Sequence, residues 1–445
     1  MATLVRGASA SIEDAHSRTY WGHLQTDFPL VMSSTYFWER STCRVCSSAN
    51  LEDLMDFGRQ ALASRFPRAS EPDPPLAPLA LTHCNTCGLV QLRHSVNAQE
   101  LYTDHYGYKS GTNATMRGHL AELVDWAQRR RPVRAGDIVL DIGCNDGTLL
   151  KSYATPSLRR FGIDAIADKF QADYPDDISI RQSFFSADAY RALCGVQPAK
   201  IITSIAMFYD LEEPSGFAAA VQSALAPDGI WVLEQSYLPT MLEMNAYDTV
   251  CHEHLEYYTL RQIEWIAAAN GLRVLDVELN SCNGGSFRLA LCHKDAPFAD
   301  NNEQLDSLRK CEANLVFDAR QQFEEFQQRV TKSKDDLQAL VMRERAAGKR
   351  FYLYGASTKG NTLLQYCNLD AGHIVAAAER NPEKWGCRTP RTNIPIVSEE
   401  EARAARPDYF LVLPWHFRSE FVRREAAFLE GGGKLVFPLP KLEIV

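Results

Sequence analysis

The stretch VLDIGCNDGTLL, residues 139–150, decides the fold class. An apolar run ends in Asp141, a turn containing Gly143 and Gly147 follows, and a helix is predicted to begin near Gly147. Glycine lets the backbone approach a ligand closely, and the first turn of a helix offers N–H groups without partners. The spacing D-x-G-x-x-x-G differs from the G-x-G-x-x-G of dinucleotide-binding domains, which remain the alternative. The stretch therefore predicts a ligand-binding turn after the first strand of an α/β sheet.

The sequence around this turn alternates strands and helices from about residue 136 to residue 290. Short apolar runs separated by helical segments predict a mostly parallel sheet covered on both faces, which is a doubly wound α/β fold. Asp164 ends the second run, where an acidic residue is placed to bind ribose hydroxyls. Two later runs, joined by SCNGGS at residues 281–286, predict a closing antiparallel pair.

The ligand-binding turn resembles motif I of class I S-adenosylmethionine (SAM) methyltransferases. In that family a carboxylate and backbone amides hold the methionine end of the cofactor. The resemblance implies a class I methyltransferase sheet with SAM as cofactor. The implied cofactor-binding residues of this chain are Asp141, Gly143, Asn145, Gly147 and Asp164.

Two CxxC pairs precede this sheet in a proline-rich block that ends near residue 95. Cys43 and Cys46 form the first pair, and Cys84 and Cys87 form the second. Four thiolates that converge on one ion give the closed tetrahedral site of structural Zn²⁺, which would stabilise a small domain with little core. Free thiols or a redox pair are the alternatives, and His83 is a weaker candidate ligand.

Composition and charge narrow the function classes. The chain has a formal net charge of -9, which argues against a nucleic-acid partner. It is 45% hydrophobic and 23% charged, which is typical of a folded globular protein. No stretch has the roughly 18 apolar residues of a membrane span, and the N-terminus lacks an apolar signal core. We expect a cytoplasmic protein, a monomer or homodimer, that acts on a small molecule.

The pattern along the chain predicts five parts. Residues 302–348 combine dense charge with apolar residues at helical spacing, which predicts one or two connecting helices. A second block of strands and helices follows and predicts a smaller sheet. The predicted parts are an N-terminal extension at 1–41, a zinc-binding module at 42–112, a SAM-binding domain at 113–300, a helical connector at 301–348 and a C-terminal Rossmann-like domain at 349–445.

Titratable side chains crowd the stretch NAYDTVCHEHLEYYTL, residues 245–260. It follows a predicted strand of the first sheet, and ligands bind at the carboxyl ends of such strands. This loop is therefore expected beside the reactive methyl of the cofactor, with His252, Glu253 and His254 as candidate catalytic residues. The alternative is that HLEYY begins an amphipathic helix whose His and Tyr rings pack internally.

The C-terminal block contains a second turn in LYGASTKGNTLLQY, residues 353–366. A turn of small residues between a strand and a helix can present N–H groups to phosphates, and Lys359 adds an ammonium. The turn lacks the P-loop pattern, so nucleotide hydrolysis is not expected. Ser357, Lys359 and Asn361 are the candidate substrate-binding residues, and a plain structural turn is the alternative.

The order of these motifs resembles the SAM-dependent C-methyltransferases of deoxysugar biosynthesis, which act on nucleotide-linked keto-hexoses. The resemblance covers roughly residues 42–445. It implies that His254 is the base at the reacting carbon, that Glu253 is its partner, and that Tyr106 or Tyr108 also reaches the site. The matching segments are the four-cysteine module, HYGYKSGTNATMRGHL, DIGCNDG, APDGIWVLEQSYL, YDTVCHEHLEYY, NGGSFR, and YGASTKGNTLL with NPEKWG and IPIV.

Two positions depart from the pattern of that family. Met207 stands where the family has a histidine after the fourth-motif strand, and Cys251 stands where it has a tyrosine three residues before the base. Both changes remove polar groups that would contact the keto-sugar, so they leave the substrate and the methylated atom open. Cys251 is retained as a candidate substrate contact, and His252 is a candidate to replace part of what is missing.

These features predict SAM-dependent C-methylation of a nucleotide-activated keto-sugar by enolisation and in-line methyl transfer. A methyl group moves to carbon only if that carbon becomes nucleophilic, which requires removal of a proton beside a carbonyl. O- or N-methylation of a sugar or secondary metabolite on the same scaffold is the alternative. A cofactor-sensing or scaffolding protein without turnover is a third possibility, because fold alone does not give function.

Overall fold

A computed structural model describes residues 36–102, 108–317 and 319–445. The first part is a small β domain around the two CxxC pairs. In this domain β2, β3 and β4 form an antiparallel sheet, and β1 pairs with β5. Its elements are β1 (Phe37–Glu39), β2 (Leu51–Ala61), β3 (Leu76–Cys84), β4 (Val90–Leu92), β5 (His94–Val96) and α1 (Ala98–Leu101).

The second part is the doubly wound sheet that residues 139–150 predicted. Its strand order is β8-β7-β6-β9-β10-β13-β12, and β13 runs antiparallel to both of its neighbours. Its elements are α2 (Ala114–Arg130), β6 (Ile138–Ile142), α3 (Thr148–Lys151), β7 (Arg159–Asp164), β8 (Ile178–Gln182), α4 (Ala187–Cys194), β9 (Ala199–Ile205), α5 (Pro214–Ala224), β10 (Leu225–Ser236), α6 (Leu238–Glu243), β11 (Glu256–Tyr257), α7 (Leu260–Ala269), β12 (Leu272–Asn280) and β13 (Ser286–His293).

The fold class is confirmed by this sheet. All five residues of β6 are buried, as expected of a central strand that helices cover on both faces. The predicted closing pair is also present, since β12 and β13 pair in antiparallel register from Leu272 with His293 to Asn280 with Ser286.

The segment HLEYY does not begin a helix, so that part of the alternative is wrong, although the rings of Tyr257 and Tyr258 are buried as it expected. Two of its residues form β11, which leaves the cofactor domain and pairs antiparallel with β4 as the fourth strand of the zinc-domain sheet. Glu256 lies opposite Gln91, and Tyr257 lies opposite Val90. The candidate catalytic loop is therefore held between two domains by backbone hydrogen bonds.

Two helices follow, α8 (Asn302–Phe317) and α9 (Ala319–Ala346). They pack by the amphipathic stripe that the sequence predicted: Phe323, Phe326, Val330 and Leu337 are buried in α9. A carboxylate on α8, Glu312, accepts the backbone N–H of Leu260 at 2.7 Å at the start of α7. The connector thereby fixes the helix that follows the candidate catalytic loop.

The last part is a six-stranded sheet in the order β16-β15-β14-β17-β18-β19, parallel except for β19. None of the helices in the described ranges is long and apolar enough to cross a bilayer. The elements of this part are β14 (Phe351–Tyr354), α10 (Thr358–Tyr366), β15 (Ala377–Glu379), β16 (Ile396–Ser398), α11 (Glu399–Ala404), β17 (Tyr409–Val412), α12 (Arg418–Arg424), α13 (Ala426–Glu430), β18 (Lys434–Phe437) and β19 (Glu443–Ile444).

Candidate active site

The cofactor turn begins at the carboxyl end of β6. Asp141 is buried there and accepts a hydrogen bond from Thr203 Oγ1 at 2.6 Å. Burial raises the pKa of the Asp141 carboxyl to about 7, and the nearby charge of Asp164 acts in the same direction. A carboxyl in this state ionises readily when a cationic group binds beside it.

The two glycines of the turn are required by its geometry. Gly143 and Gly147 both have a φ of +73°, a left-handed conformation that glycine adopts without strain. A Cβ at Gly147 would lie 2.9 Å from a ring carbon of Tyr174, and one at Gly143 would lie 3.2 Å from Met207 Cγ. Met207 therefore covers the turn with an apolar side chain.

Asp164 stabilises the cofactor turn from the tip of β7. Its two carboxylate oxygens accept the backbone N–H of Asn145 at 2.9 Å and that of Ile166 at 2.8 Å. Burial raises the pKa of this carboxyl, while both backbone bonds lower it. The five predicted cofactor residues are thus brought together at the carboxyl ends of adjacent strands.

The segment before α2 lies against the same turn. The Asn145 side chain donates to Tyr108 O at 3.2 Å and accepts the backbone N–H of Ser110 at 3.0 Å. The Tyr108 side chain itself is 46% exposed. Tyr106, the other candidate tyrosine, lies outside the described residues, so the choice between the two stays a prediction.

His254 has a fixed tautomer. Its Nδ1–H donates to the backbone carbonyl of Thr249 at 2.7 Å, and its ring lies 4.3 Å from the ring of Tyr209. Because Nδ1 carries the proton, Nε2 has a free lone pair. Burial lowers the pKa of His254 to about 3, and the charge of Lys359 acts in the same direction. The imidazole is therefore neutral at neutral pH, and its Nε2 is unprotonated.

The neighbours of His254 are more deeply buried. Glu253 accepts the backbone N–H of Ser64 on one carboxylate oxygen at 3.1 Å. His252 donates from Nε2 to Ala77 O at 3.2 Å, and burial lowers its pKa. Cys251 is 0% exposed, and burial raises its pKa. The segment thus leaves His254 partly buried and turns His252 toward the zinc domain.

The sequence did not point to Asp210, which the structure brings near this loop. Asp210 accepts a hydrogen bond from Tyr102 at 2.8 Å, and burial together with the charge of Glu253 raises its pKa. It follows β9 by a few residues, so it occupies the loop where Met207 was singled out. The available signal in the sequence was that Asp210 follows Met207, the position of the expected histidine, by three residues.

The C-terminal turn approaches His254 through Lys359, whose charge acts to lower the pKa of that imidazole. Its Nζ donates to Asn283 O at 3.1 Å. Buried Asp248 accepts a hydrogen bond from Trp415 at 2.9 Å, and burial lowers the pKa of His416 to about 3 with a contribution from Lys359. Asp248, Trp415 and His416 were not singled out from the sequence, where the run PWHF was the only local signal.

The other two predicted substrate contacts have structural partners. Ser357 caps α10 by accepting the backbone N–H of Gly360 at 3.0 Å. Asn361 is 1% exposed and donates to Ala63 O of the zinc domain at 2.7 Å. Gln365, one turn further along α10, accepts the Ala61 N–H at 2.7 Å. Lys359 is thus the residue of the three whose charge acts on His254.

The four cysteines of the N-terminal domain converge. Cys43 and Cys87 sulfurs are 3.5 Å apart, as are those of Cys46 and Cys84, and all four lie within 4.8 Å of one another. Sulfurs bound to one zinc at about 2.3 Å are spaced similarly, so the donor set fits a tetrahedral ion. His83 bonds to Asn85 instead and lies outside this group.

Three family models match the chain in sequence order. A zinc-binding domain matches residues 43–102, a methyltransferase domain matches 113–277, and a C-methyltransferase C-terminal domain matches 281–440. The C-methyltransferase NovU of Streptomyces niveus is 29% identical over 414 residues, which are 91% of this chain and 96% of NovU. The chain is therefore similar to SAM-dependent C-methyltransferases in all three of these domains. It is a methyltransferase, as the resemblance implied.

Solved methyltransferases are similar to part of this C-methyltransferase. The SAM-bound amino pentose methyltransferase CalS10 from Micromonospora echinaspora has a TM-score of 0.29 and 18% identity, over 39% of this chain and 90% of CalS10. The magnesium protoporphyrin IX methyltransferase ChlM from Synechocystis PCC 6803 has a TM-score of 0.30 and 15% identity, over 40% of this chain and 79% of ChlM.

The prediction of SAM and zinc as cofactors of this C-methyltransferase is confirmed by these domains. For SAM, the cofactor turn offers backbone amides, the buried Asp141 carboxyl and the Asp164 carboxylate. For zinc, the donor set is the four cysteines, of which Cys84 ends β3 in the sheet that also contains β11. The zinc domain therefore supports the loop that carries His254.

Proposed function

We propose that this C-methyltransferase methylates a carbon beside the keto group of a nucleotide-activated sugar. The observation that carries the proposal is the fixed tautomer of His254, which donates from Nδ1 to Thr249 O and keeps Nε2 as a base. A C-methyltransferase needs such a base, because the carbon that accepts the methyl must first lose a proton.

The reaction begins at His254. Its Nε2 removes the proton from the carbon beside the carbonyl, and the resulting enolate attacks in line with the departing thioether. SAM supplies the electrophilic methyl group when bound. The chain's own residues hold the donor and acceptor in line and exclude water, which accounts for much of the rate. Glu253, anchored by the Ser64 N–H, orients the loop on which His254 sits.

The nucleotide part of the substrate lies against the C-terminal turn in this proposal. Lys359 donates to Asn283 O, and its charge acts on His254. Its ammonium complements the anionic diphosphate of a nucleoside diphosphate sugar.

A second candidate reaction is O- or N-methylation on the same scaffold. It is favoured by the apolar Met207 over the cofactor turn and by the sealed Cys251, because neither supplies a polar contact to a keto-sugar. Product analysis separates the two reactions, since O-methyl and C-methyl protons have well-separated NMR shifts.

The base assignment is tested with a nucleotide keto-sugar carrying deuterium at the reacting carbon. Wild-type enzyme should release the deuterium to solvent as the product forms. His254→Gln should lose activity by roughly 10²–10⁴-fold, the usual contribution of a general base. His373→Gln, on the opposite edge of the C-terminal sheet, is the matched control and should react normally. Retention of deuterium in the wild-type product would remove His254 from the mechanism.

A further inference from the structure

A cleft lies beside α3, between the cofactor domain and the C-terminal domain. Its volume is about 640 Å³, which is within the usual size range of small-molecule sites. One wall comes from the segment before α2, from α2 and from α3, and it includes Lys109, Arg117 and Lys151. The other wall follows β15 and includes Arg380 and Asn381. Two domains thus line one cavity, which we call the interdomain cleft.

The first wall is fixed against the cofactor turn. The backbone N–H of Gly111 donates to the Asp146 carboxylate at 2.9 Å, and Thr148 Oγ1 donates to the same side chain at 2.6 Å. A Cβ on Gly111 would lie 2.5 Å from an Asp146 oxygen, so the segment before α2 packs directly on this carboxylate. The basic side chains of this wall are therefore held in place relative to the cofactor turn.

Contacts between the two domains flank the cleft. Thr115 Oγ1 donates to Glu420 at 2.7 Å, and Lys169 pairs with Glu383 at 3.4 Å. On the C-terminal side, the Asn381 side chain accepts the backbone N–H of Glu383 at 3.1 Å and fixes the turn after β15. These contacts set the spacing between the two walls.

The acidic groups of the cleft are already paired. Asp173 accepts Lys109 Nζ at 2.8 Å, and Glu383 is paired with Lys169. Asp146 is 2% exposed and accepts the donors of its own wall. None of these three carboxylates is therefore available to neutralise a further cation in the cleft.

Three basic groups of the cleft have no carboxylate at hydrogen-bond distance. Arg117 donates from Nη1 to a backbone carbonyl of its own segment at 2.6 Å. The Lys151 ammonium bonds to none of the residues that the structure describes. Arg380 lies 3.7 Å from Glu399 and 3.8 Å from Glu420, which is beyond a hydrogen bond. These three side chains give the cleft a positive potential.

The arrangement suits a phosphate group. A guanidinium binds phosphate through two parallel N–H groups, and an ammonium adds a compact point charge. Cations that converge from two walls complement the multiple charge and the several oxygens of phosphate better than a single carboxylate. The volume of the cleft also leaves room for a group attached to the phosphate.

We propose that the interdomain cleft binds the phosphate group of a small molecule, with Arg117 and Lys151 on one side of the anion and Arg380 on the other. The bound anion connects the cofactor domain to the C-terminal domain. It belongs either to a free phosphate compound or to the diphosphate of a nucleotide. The inference goes beyond the proposed reaction, since the site takes no part in its steps and does not depend on the methyl acceptor.

Calorimetry with inorganic pyrophosphate on the full-length zinc-loaded protein tests the site. Wild-type protein should bind pyrophosphate, and more weakly as salt is added. Lys151→Gln and Arg380→Gln, one from each wall, should each weaken this binding by about tenfold. Arg129→Gln is the matched control, because it removes an exposed guanidinium of α2 outside the cleft, and its affinity should stay within about twofold of wild type.

Urea unfolding shows that the variants lose a ligand contact and not the fold. Lys151→Gln should unfold at the wild-type midpoint without ligand, because the ammonium has no bond to lose among the described residues. Saturating pyrophosphate should raise the midpoint of wild type and of Arg129→Gln. The same pyrophosphate concentration should raise the midpoint of the Lys151→Gln, Arg380→Gln double variant much less.

Competition separates the two sources of the phosphate. Thymidine diphosphate is titrated into wild-type protein with and without saturating pyrophosphate, and thymidine is the reference without phosphate. Competition that is lost in Arg380→Gln supports the site and assigns it to the diphosphate of a nucleotide. Simultaneous binding of both ligands supports the site and assigns it to a separate phosphate compound.

Two results would overturn the site. The first is wild-type protein that does not bind pyrophosphate. The second is an affinity that is the same in wild type, Lys151→Gln and Arg380→Gln, or that falls equally in Arg129→Gln. Neither result bears on the proposed function, because the assay contains no keto-sugar and measures no methyl transfer.

Discussion

The chain contains two strand–turn–helix units with the same hydrogen-bond pattern. In the cofactor domain, Asp164 lies at the tip of β7. Its carboxylate accepts the backbone N–H of Asn145 in the turn at 2.9 Å and that of Ile166, two residues further along the chain, at 2.8 Å. In the C-terminal domain, Glu379 lies at the tip of β15. Its carboxylate accepts the backbone N–H of Ala356 in the second turn at 2.8 Å and that of Asn381, two residues further along the chain, at 2.9 Å. One carboxylate from the second strand organises each turn.

The two units differ in what covers them. The first turn is lined by Gly143 and Gly147 and meets Met207, whereas the second carries Lys359 and is followed by Asn361, which is bonded to the zinc domain. Buried Lys384 also donates to Ala356 O of the second turn at 2.7 Å. The two turns therefore share the same local geometry but differ in their surroundings. The first is lined by glycines, whereas the second carries a lysine and is bonded to the zinc domain.

Loss of zinc should have the largest effect on the second turn and little effect on the first. In Cys43→Ser, Cys84→Ser protein the zinc domain loses its ion, so β11 loses its partner strand β4 and the second turn loses its anchor at Ala63. Methylation should fall by at least roughly 10³-fold, combining loss of the base and of substrate positioning. SAM affinity, measured by calorimetry, should change by less than about fivefold.

Metal analysis of the same proteins provides the control. Wild-type protein should contain about one zinc per chain if one tetrahedral site closes. Cys311→Ser removes an exposed cysteine outside the cluster and should keep both zinc and activity. Full zinc occupancy in the double variant would show that the four thiols are not the ligands.

The pH dependence of stability should come from the first turn. The folded pKa of Asp141 is about 7, above its ordinary unfolded value, so its protonated form stabilises the fold at low pH. This contribution is complete below pH of about 4 and is lost as pH rises through 7. Between pH 5 and 8 the loss should be about 2–3 kcal/mol without SAM.

Urea unfolding of SAM-free wild type and Asp141→Asn checks this expectation. The asparagine cannot ionise. The difference in the free energy of unfolding between wild type and variant should therefore change by about 2–3 kcal/mol between pH 5 and pH 8. Asp125→Asn, which removes an exposed carboxyl on α2, is the matched control. A wild-type-to-variant difference that is equal at pH 5 and pH 8 would contradict the raised pKa.

Hydrophobic periodicity and motif spacing predicted the parts of the fold that depend on local sequence patterns. The seven-stranded sheet, the closing antiparallel pair, the connector helices and the four-cysteine cluster follow from apolar runs and CxxC spacing. These features depend on residues close together in the chain. The sequence therefore indicated both the class of protein and its cofactors.

What the sequence did not predict depends on distant contacts. The strand β11 has two residues, too few for any pattern, and its partner β4 lies more than 160 residues earlier. The pairing of His119 with Glu234 spans 115 residues, and neither residue type is unusual at its position. The likeness of the two turns was also not visible, because it consists of backbone amides bonded to an acid on the next strand.

A pair of carboxyl variants should distinguish the ligands of the two turns. Asp164→Asn should weaken SAM binding by roughly 10–100-fold, because a charged hydrogen-bond acceptor for ribose hydroxyls contributes about 1.5–3 kcal/mol. Glu379→Gln should weaken binding of a nucleoside diphosphate by a similar factor if its turn takes the second nucleotide. Calorimetry with SAM and with thymidine diphosphate measures both, and each variant is the control for the other. Equal effects on both ligands would show that the turns act as one site.

The smallest expected effects concern adjacent residues of the second turn. Lys359→Met should weaken nucleoside diphosphate binding by about tenfold and lower the free energy of unfolding by less than about 1 kcal/mol, because the ammonium is only partly buried. Asn361→Ala should lower the free energy of unfolding by about 1 kcal/mol and leave that affinity unchanged, because it leaves the Ala63 carbonyl without its donor. Calorimetry and urea unfolding on both variants separate the two roles. Asn361→Ala could instead weaken nucleotide binding as much as Lys359→Met does. The contact of the second turn with the zinc domain would then be part of its ligand binding, and the two turns would differ only in the ligand that they bind.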